Sequence, residues 1–508
     1  MAVHGTSALD KRQTRRCFLG IVGVGGLGVA LLSACGNGQA TAGASRTASS
    51  PGVGTTALST GATRTATAHS GGAATIAASA STTGGAQPAP TAPAVVKVGK
   101  GAKTLTFWHY YGLANSVPLA KVVGGYQAVR PDIALELDFT PNNKLLEKLQ
   151  AAIAGNSMPD VAQTDLVWVP IMIGTQQTLA LDQYFKQEKY DVSDFFTALL
   201  QYDQGDDGKY YAVPLDTDNA QLFYNKNMVQ AAGLDFEKSP PQTWADLADV
   251  AQKLTDPSKQ QWGLDLGPQV TQGNQGALTN RHMILTWQTG NQYFAPWNGR
   301  PERGAPAFNT DAGITAWQWN VDMVLKYKVA PPTSPQLGFT SGHEAMFYNG
   351  DWAIGNTLRQ IGAGFEMGTM AFPGQTAGKA GVCWSGGEHV QAFRGKNQDD
   401  AAQFLLWLTS PANIESFNTQ TGYIPPRQSV INGKSYQTWL TQNPLYKVYA
   451  TSMAKTQPRV PTNVFTQLTN AISLELEKPI KQTLTVKDAL AAAVQDCLAI
   501  MKQAGYQP

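Results

Sequence analysis

The chain has 508 residues, 43% of them hydrophobic, with 38 Lys and Arg against 36 Asp and Glu and a formal balance of +2. A chain this long can bury more than one core, and interspersed charge without a basic stripe argues against a nucleic-acid partner. Its four cysteines, Cys17, Cys35, Cys383 and Cys497, show no C-x-x-C spacing, which argues against a zinc ribbon and a disulfide framework and leaves Cys383 and Cys497 expected as free, buried thiols.

Thr14-Arg15-Arg16-Cys17-Phe18-Leu19 precedes an uncharged run rich in Gly, Val and Leu from Gly20 to Ala34. This pattern reads as a twin-arginine export signal. The run closes on Leu32-Ser33-Ala34-Cys35, which resembles a bacterial lipobox, with Cys35 as the lipidated residue and mature N-terminus. Residues 1–34 are then signal peptide. Their removal takes away Lys11, Arg12, Arg15, Arg16 and Asp10, leaving a formal balance of −1. The head is expected outside the cytoplasm, held to the membrane by the lipid. Residues 35–98 are almost wholly Ala, Thr, Ser, Gly and Pro, a composition that reads as a disordered tether.

Globular sequence follows. Thr104 to Tyr110 reads as a strand, and Ile133, Leu135, Leu137 and Phe139 alternate with polar residues as a second. Leu145, Leu146, Leu149 and Ile153 fall at helical spacing over 143–154, with Gly155 beyond. This β-α-β-α opening predicts an α/β fold with a mainly parallel sheet. Asp207-Gly208 reads as a hairpin turn. Thr243 with Asp246 predicts a capping box opening a helix. Further helices are predicted over 311–327, over 399–408 and after Thr485, and Asn349-Gly350 reads as a tight turn between a helix and a strand carrying Trp352.

Six stretches then stand in a telling order: LTFWH at Leu105 to His109, GNSMPDVAQTD at Gly155 to Asp165, DGKYYAVPLDTDNAQLFYNK at Asp207 to Lys226, AGL with PQTWADL between Ala232 and Leu247, EAMFYNGDWA at Glu344 to Ala353, and TGYIP at Thr421 to Pro425. In order and separation, the chain from about 103 to 505 resembles the extracellular solute-binding proteins of ABC importers, the family that includes maltose-binding and glycerol-3-phosphate-binding receptors. The resemblance implies a type II periplasmic-binding-protein-like fold: two discontinuous α/β lobes joined by a hinge, with the ligand cleft between them. It places lobe 1 at 99–213 plus 373–424 and lobe 2 at 214–372 plus 425–508. Crossings are implied at Val213-Pro214, near Ala371-Phe372-Pro373 and near Tyr423-Ile424-Pro425. No cofactor is expected. The implied partners are a small hydrophilic solute, read as a sugar, and an ABC permease, and the protein is expected to be a monomer.

A sugar needs aromatic plates against its C–H faces and directional polar groups at its edge. Residues meeting that need are Trp108, His109 and Tyr110 at the end of the first strand, Asp165 and Trp168, Asp218 beside the first crossing, Trp352, and Tyr423. The resemblance adds Gly387 and Glu388, with His282, Trp287 and Phe465 from looser correspondence. The phosphate-binding arginine of glycerol-3-phosphate receptors has no clear counterpart after Tyr423, Arg427 being the nearest. A polyol phosphate receptor therefore stands as the alternative ligand reading, and a secreted carbohydrate-active enzyme or a purely structural surface protein as rivals of other classes. His343-Glu344 begins an H-E-x-x-H pattern that ends in Phe347, and the G-x-G-x-x-G at Gly23, Gly25 and Gly28 lies inside the export signal. Asp203, Asp206 and Asp207 miss the EF-hand spacing, so no metal is expected.

Overall fold

The computed structural model describes residues 94–266, 276–295, 304–331 and 338–506. The export signal, Cys35 and the tether up to residue 93 lie outside the described residues. The chain divides between Gly84 and Gly85 into two units, and every described residue belongs to the second.

Eleven strands are described: β1 (Val95–Val98), β2 (Lys103–His109), β3 (Ile133–Phe139), β4 (Val161–Asp165), β5 (Val213–Pro214), β6 (Ala220–Asn225), β7 (Met346–Gly350), β8 (Met367–Met370), β9 (Cys383–Trp384), β10 (Glu388–Ala392) and β11 (Thr456–Gln457). They form a six-stranded sheet in the order β1-β3-β2-β4-β10-β5, a three-stranded sheet β7-β6-β8, and a pair β11-β9. In the large sheet β2 runs parallel to β3 and β4, whereas β10 is antiparallel to β4 and β5. The helices Leu113–Gly124 and Asn142–Ala154 follow β2 and β3, giving the predicted β-α-β-α opening.

Strand β1 falls inside the stretch read as tether. Val95, Val96 and Val98 form a short β-branched run that pairs antiparallel with Leu135 to Asp138 of β3, a signal hidden by the biased composition before it. The Thr243 capping box is present in both halves: Thr243 Oγ1 accepts the Asp246 N–H at 3.1 Å, and an Asp246 oxygen accepts the Thr243 N–H at 2.9 Å. Thr485 caps the last helix by accepting the Asp488 N–H at 3.1 Å. Asn349-Gly350 is not a turn into a strand. It ends β7, and Trp352 lies on the single 3-10 turn Asp351–Ala353 that opens the helix Ile354–Ile361.

One core fills the large sheet against the helices Leu113–Gly124, Gln398–Leu408 and Pro411–Thr421. The largest core gathers the helices Trp244–Lys253, Ala277–Gln288, Asp311–Leu325, Phe465–Ile480 and Val486–Gln503. Trp317 is fully buried there and satisfies its indole by donating to Leu476 O at 2.9 Å. Cys383 and Cys497 are free and buried.

The chain passes from the large sheet to the three-stranded sheet after β5 and returns before β10, and the third expected crossing, at Ile424, pairs with the first. Thr217 and Ile424 exchange backbone hydrogen bonds of 2.9 and 3.0 Å, and Gly386 N donates to Asp218 O at 2.9 Å. The second crossing sits later than Ala371-Phe372-Pro373. Gly374 still pairs with Thr243, and β9 with β11, before the chain reaches β10. The Gly386-Gly387 step is forced by crowding. Gly387 has φ +127°, and a Cβ there would meet Asp216 O at 2.5 Å and Thr217 Cα at 2.6 Å.

Candidate ligand cleft

Strand ends and crossings bring together acidic and aromatic side chains from distant parts of the chain. Asp165 ends β4 and lies opposite Glu388, the first residue of β10. Tyr110, just past β2, donates its hydroxyl to Glu388 Oε1 at 2.9 Å and sets its ring edge-on to Trp168 at 5.6 Å. Tyr111 donates to Asp216 Oδ2 and packs on Tyr423 at 5.9 Å. Asp216 Oδ1 also accepts the Glu388 N–H at 2.9 Å. Asp218 pairs with Gly386, the backbone step that precedes Gly387 and Glu388.

Across the crossings, Trp352 stacks on Trp384 with centroids 6.0 Å apart and is 41% exposed, an open aromatic plate. Arg459 lies over the Trp384 ring at 5.0 Å and approaches Asp165 Oδ1 at 3.8 Å. Asp351 is buried and accepts the Asn219 N–H at 3.1 Å. Behind the site, the unexposed His389 Nδ1 lies 2.6 Å from Asp203 Oδ1, fixing β10 from its opposite face.

Tyr110, Asp165, Trp168, Asp218, Trp352, Gly387, Glu388 and Tyr423 thus gather around one region. His109 does not join them. Successive strand residues point to opposite faces, so His109 turns into the core against Phe107 and Phe139, where burial holds its pKa down at about 4. Trp108 lies under the Lys148 ammonium at 3.9 Å. His282 is a core residue whose ring nitrogens lie 3.0 Å from Tyr293 Oη and Gly313 O. Arg427 is fixed structurally: it sits over Phe195 at 4.0 Å and donates to Thr409 O, Asp191 O and Asp194 Oδ2. Tyr111, Asp216, Asp351, Trp384 and Arg459 were missed from sequence. A residue two before Asp218 and one after Tyr110 was the available signal for the first two.

Five carboxyl groups and one guanidinium make this region acidic. Burial pushes Asp216 up to about 7, and burial followed by neighbouring carboxylates holds Asp218, Glu388 and Asp351 well above the usual carboxylate range. Glu388 Oε2 and Asp351 Oδ2 are buried without a protein partner. Buried oxygens of this kind are acceptors, or donors when protonated, for a polar ligand. Among the described residues no group of His, Cys, Asp and Glu has metal-binding geometry.

A family profile described as bacterial extracellular solute-binding protein matches residues 126–444. The chain belongs to that family. This solute-binding protein is 30% identical to the cyclic alpha-maltosyl-1,6-maltose binding protein of Arthrobacter globiformis, covering 79% of this chain and all of that one at a TM-score of 0.70. It is 25% identical over 424 residues to the sn-glycerol-3-phosphate-binding periplasmic protein UgpB of Escherichia coli K12, covering 77% of this chain and 91% of that protein. UgpB of Mycobacterium tuberculosis, solved with glycerophosphocholine, shares the fold at 20% identity and a TM-score of 0.66, covering 80% of this chain and all of that one. The fold is therefore the two-lobed type II periplasmic-binding-protein architecture, and the chain is a solute-binding protein of the ABC-importer type.

The buried Asp216 sets a pH dependence. Between about pH 4 and 7 the folded protein keeps a proton there that the unfolded chain has released, so stability falls as pH rises through this window and levels off above it. Asp216→Asn keeps an acceptor for the Glu388 N–H and removes the buried charge. It is expected to melt above the wild type at pH 8, with the gap closing towards pH 4; thermal melts across that range check this, and a gap independent of pH contradicts it.

Proposed function

We propose that this chain captures an uncharged carbohydrate between its lobes and hands it to an ABC permease without altering it. The observation that carries this reading is the pairing of buried carboxyls with aromatic plates around a single nearby guanidinium. Sugar hydroxyls are donors that carboxylates accept, and the Trp352 ring offers a plate for a sugar face. Among the described residues a phosphate dianion finds no free cation here: Arg459 is shared with Asp165, and Arg427 is engaged elsewhere. The maltosyl ligand named for the Arthrobacter globiformis relative supports the same choice, while the glycerol-3-phosphate name of the Escherichia coli relative favours the alternative. Catalysis is not part of the reading, since these relatives are named as binding proteins.

Closure about the crossings would bring Trp352 over a ligand seated on Tyr110, Asp165, Trp168 and Glu388. Binding energy would then bias the closed state. We place the protein as a monomer on the outer face of the membrane, exported by the twin-arginine signal and tethered through lipid on Cys35. Fractionation of cells producing Cys35→Ser checks the anchor: the variant should leave the membrane fraction, and retention there contradicts lipid attachment.

Titration calorimetry with neutral sugars and glycerol-3-phosphate, followed by recovery of the ligand, tests the ligand class. A neutral sugar should bind saturably and be recovered unchanged, and Trp352→Ala should weaken it by about tenfold or more, equivalent to about 1.4 kcal/mol. Preferential binding of glycerol-3-phosphate, or chemical turnover of the sugar, contradicts the reading.

A further inference from the structure

We propose that Arg459 is the positioning residue that ties the acidic wall of the cleft to its aromatic plate and thereby holds the closed, solute-bound state together. This rests on the capture and closure read above. Arg459 lies between β11 and the helix Phe465–Ile480, far in sequence from most of the side chains it meets. Its Nη2 approaches Asp165 Oδ1 at 3.8 Å, and its guanidinium lies 5.0 Å over the Trp384 ring and 5.6 Å over Phe465. Its carbonyl accepts the Tyr202 hydroxyl. Two of these partners lead on to the cleft. Asp165 Oδ1 also accepts the Val167 N–H at 3.0 Å, which caps the turn Leu166–Trp168, and Trp384 is the ring on which Trp352 stacks. They come from opposite lobes: Asp165 ends β4 of the large sheet, whereas Trp384 packs with Ala220 of β6 and with Ile284.

Arg459 is 8% exposed, and its Nε is buried without a protein partner. Burying a guanidinium is costly unless a carboxylate and aromatic faces receive it, and here both do. The two contacts ask for different properties of the side chain. Asp165 needs only a positive charge, while the Trp384 face needs a flat, weakly hydrated one, which a guanidinium supplies and an ammonium does not. The Asp165 contact is longer than the roughly 2.7–2.9 Å of a charge-assisted hydrogen bond, so it has room to tighten by about 1 Å as a solute draws the walls in. Opening the lobes parts Asp165 from Trp384, and Arg459 then keeps only one of them. Its contribution therefore belongs to the closed state and shows in how slowly a solute leaves, not in how fast it arrives.

Stopped-flow tryptophan fluorescence with glucose, maltose, maltotriose, trehalose and cellobiose gives both rate constants for the wild type and its variants. For the sugar that the wild type binds most tightly, Arg459→Met should speed dissociation by about tenfold and leave association within about twofold. In an Asp165→Asn background the same substitution should cost about threefold or less, because its charged partner is already gone. Arg459→Lys restores the charge without the flat face and should recover part of the loss. If Arg459→Met does not fold, Arg459→Lys alone should still speed dissociation by about threefold with association unchanged. A residue that merely supports the fold changes both rate constants and adds its effect to that of Asp165→Asn. Either of those patterns, or full restoration by Arg459→Lys, overturns the clasp while leaving the carbohydrate reading intact. Saturable binding of none of the five sugars removes both.

Discussion

The hydrogen-bonded knot of the crossing segments is the constraint on which the rest of this structure depends. Thr217 stands at its centre: its backbone exchanges hydrogen bonds with Ile424, and its hydroxyl donates to Gly386 O at 2.9 Å. Because these segments pair side by side, residues far apart in sequence emerge beside each other. Asp216 and Asp218 flank Thr217, Gly387 and Glu388 follow Gly386, and Tyr423 precedes Ile424. The close approach of backbones at Gly387 excludes a side chain there, so its place in the site is to let Asp216 and Glu388 meet rather than to touch a ligand.

That proximity has an electrostatic consequence. Burying several carboxyl groups beside each other is unfavourable unless they hold protons or find donors. The protein supplies some donors: the Tyr110 and Tyr111 hydroxyls and the Glu388 and Asn219 amides. It leaves Glu388 Oε2 and Asp351 Oδ2 unsatisfied. Those oxygens fit a ligand rich in hydroxyl donors. Specificity would then follow from matching donors to acceptors, since a ligand lacking a hydroxyl leaves a buried oxygen unpaired.

Much of this was legible in the sequence where the signal is local. The capping box at Thr243, the cap at Thr485 and the β-α-β-α opening each depend on residues within a few positions, and the family-like stretches marked the strand ends and crossings in order. What sequence did not disclose depends on contacts across hundreds of positions. Arg459 joins Asp165 only through the fold, and Trp384 becomes a support for Trp352 only once β9 is placed. The run Trp108-His109-Tyr110 was read as three ligand-facing residues, although strand alternation sends His109 to the opposite face. Arg427 follows the third crossing, yet its guanidinium is taken up by Asp194 and two aromatic rings, Phe195 and Tyr190.

The central claim is that a solute seated on these crossings draws the two lobes together. Small-angle X-ray scattering of the soluble head, with and without a sugar shown to bind, tests it most directly. The account predicts a smaller radius of gyration at saturation, reversed when the sugar is removed; an unchanged radius with the sugar fully bound would contradict it.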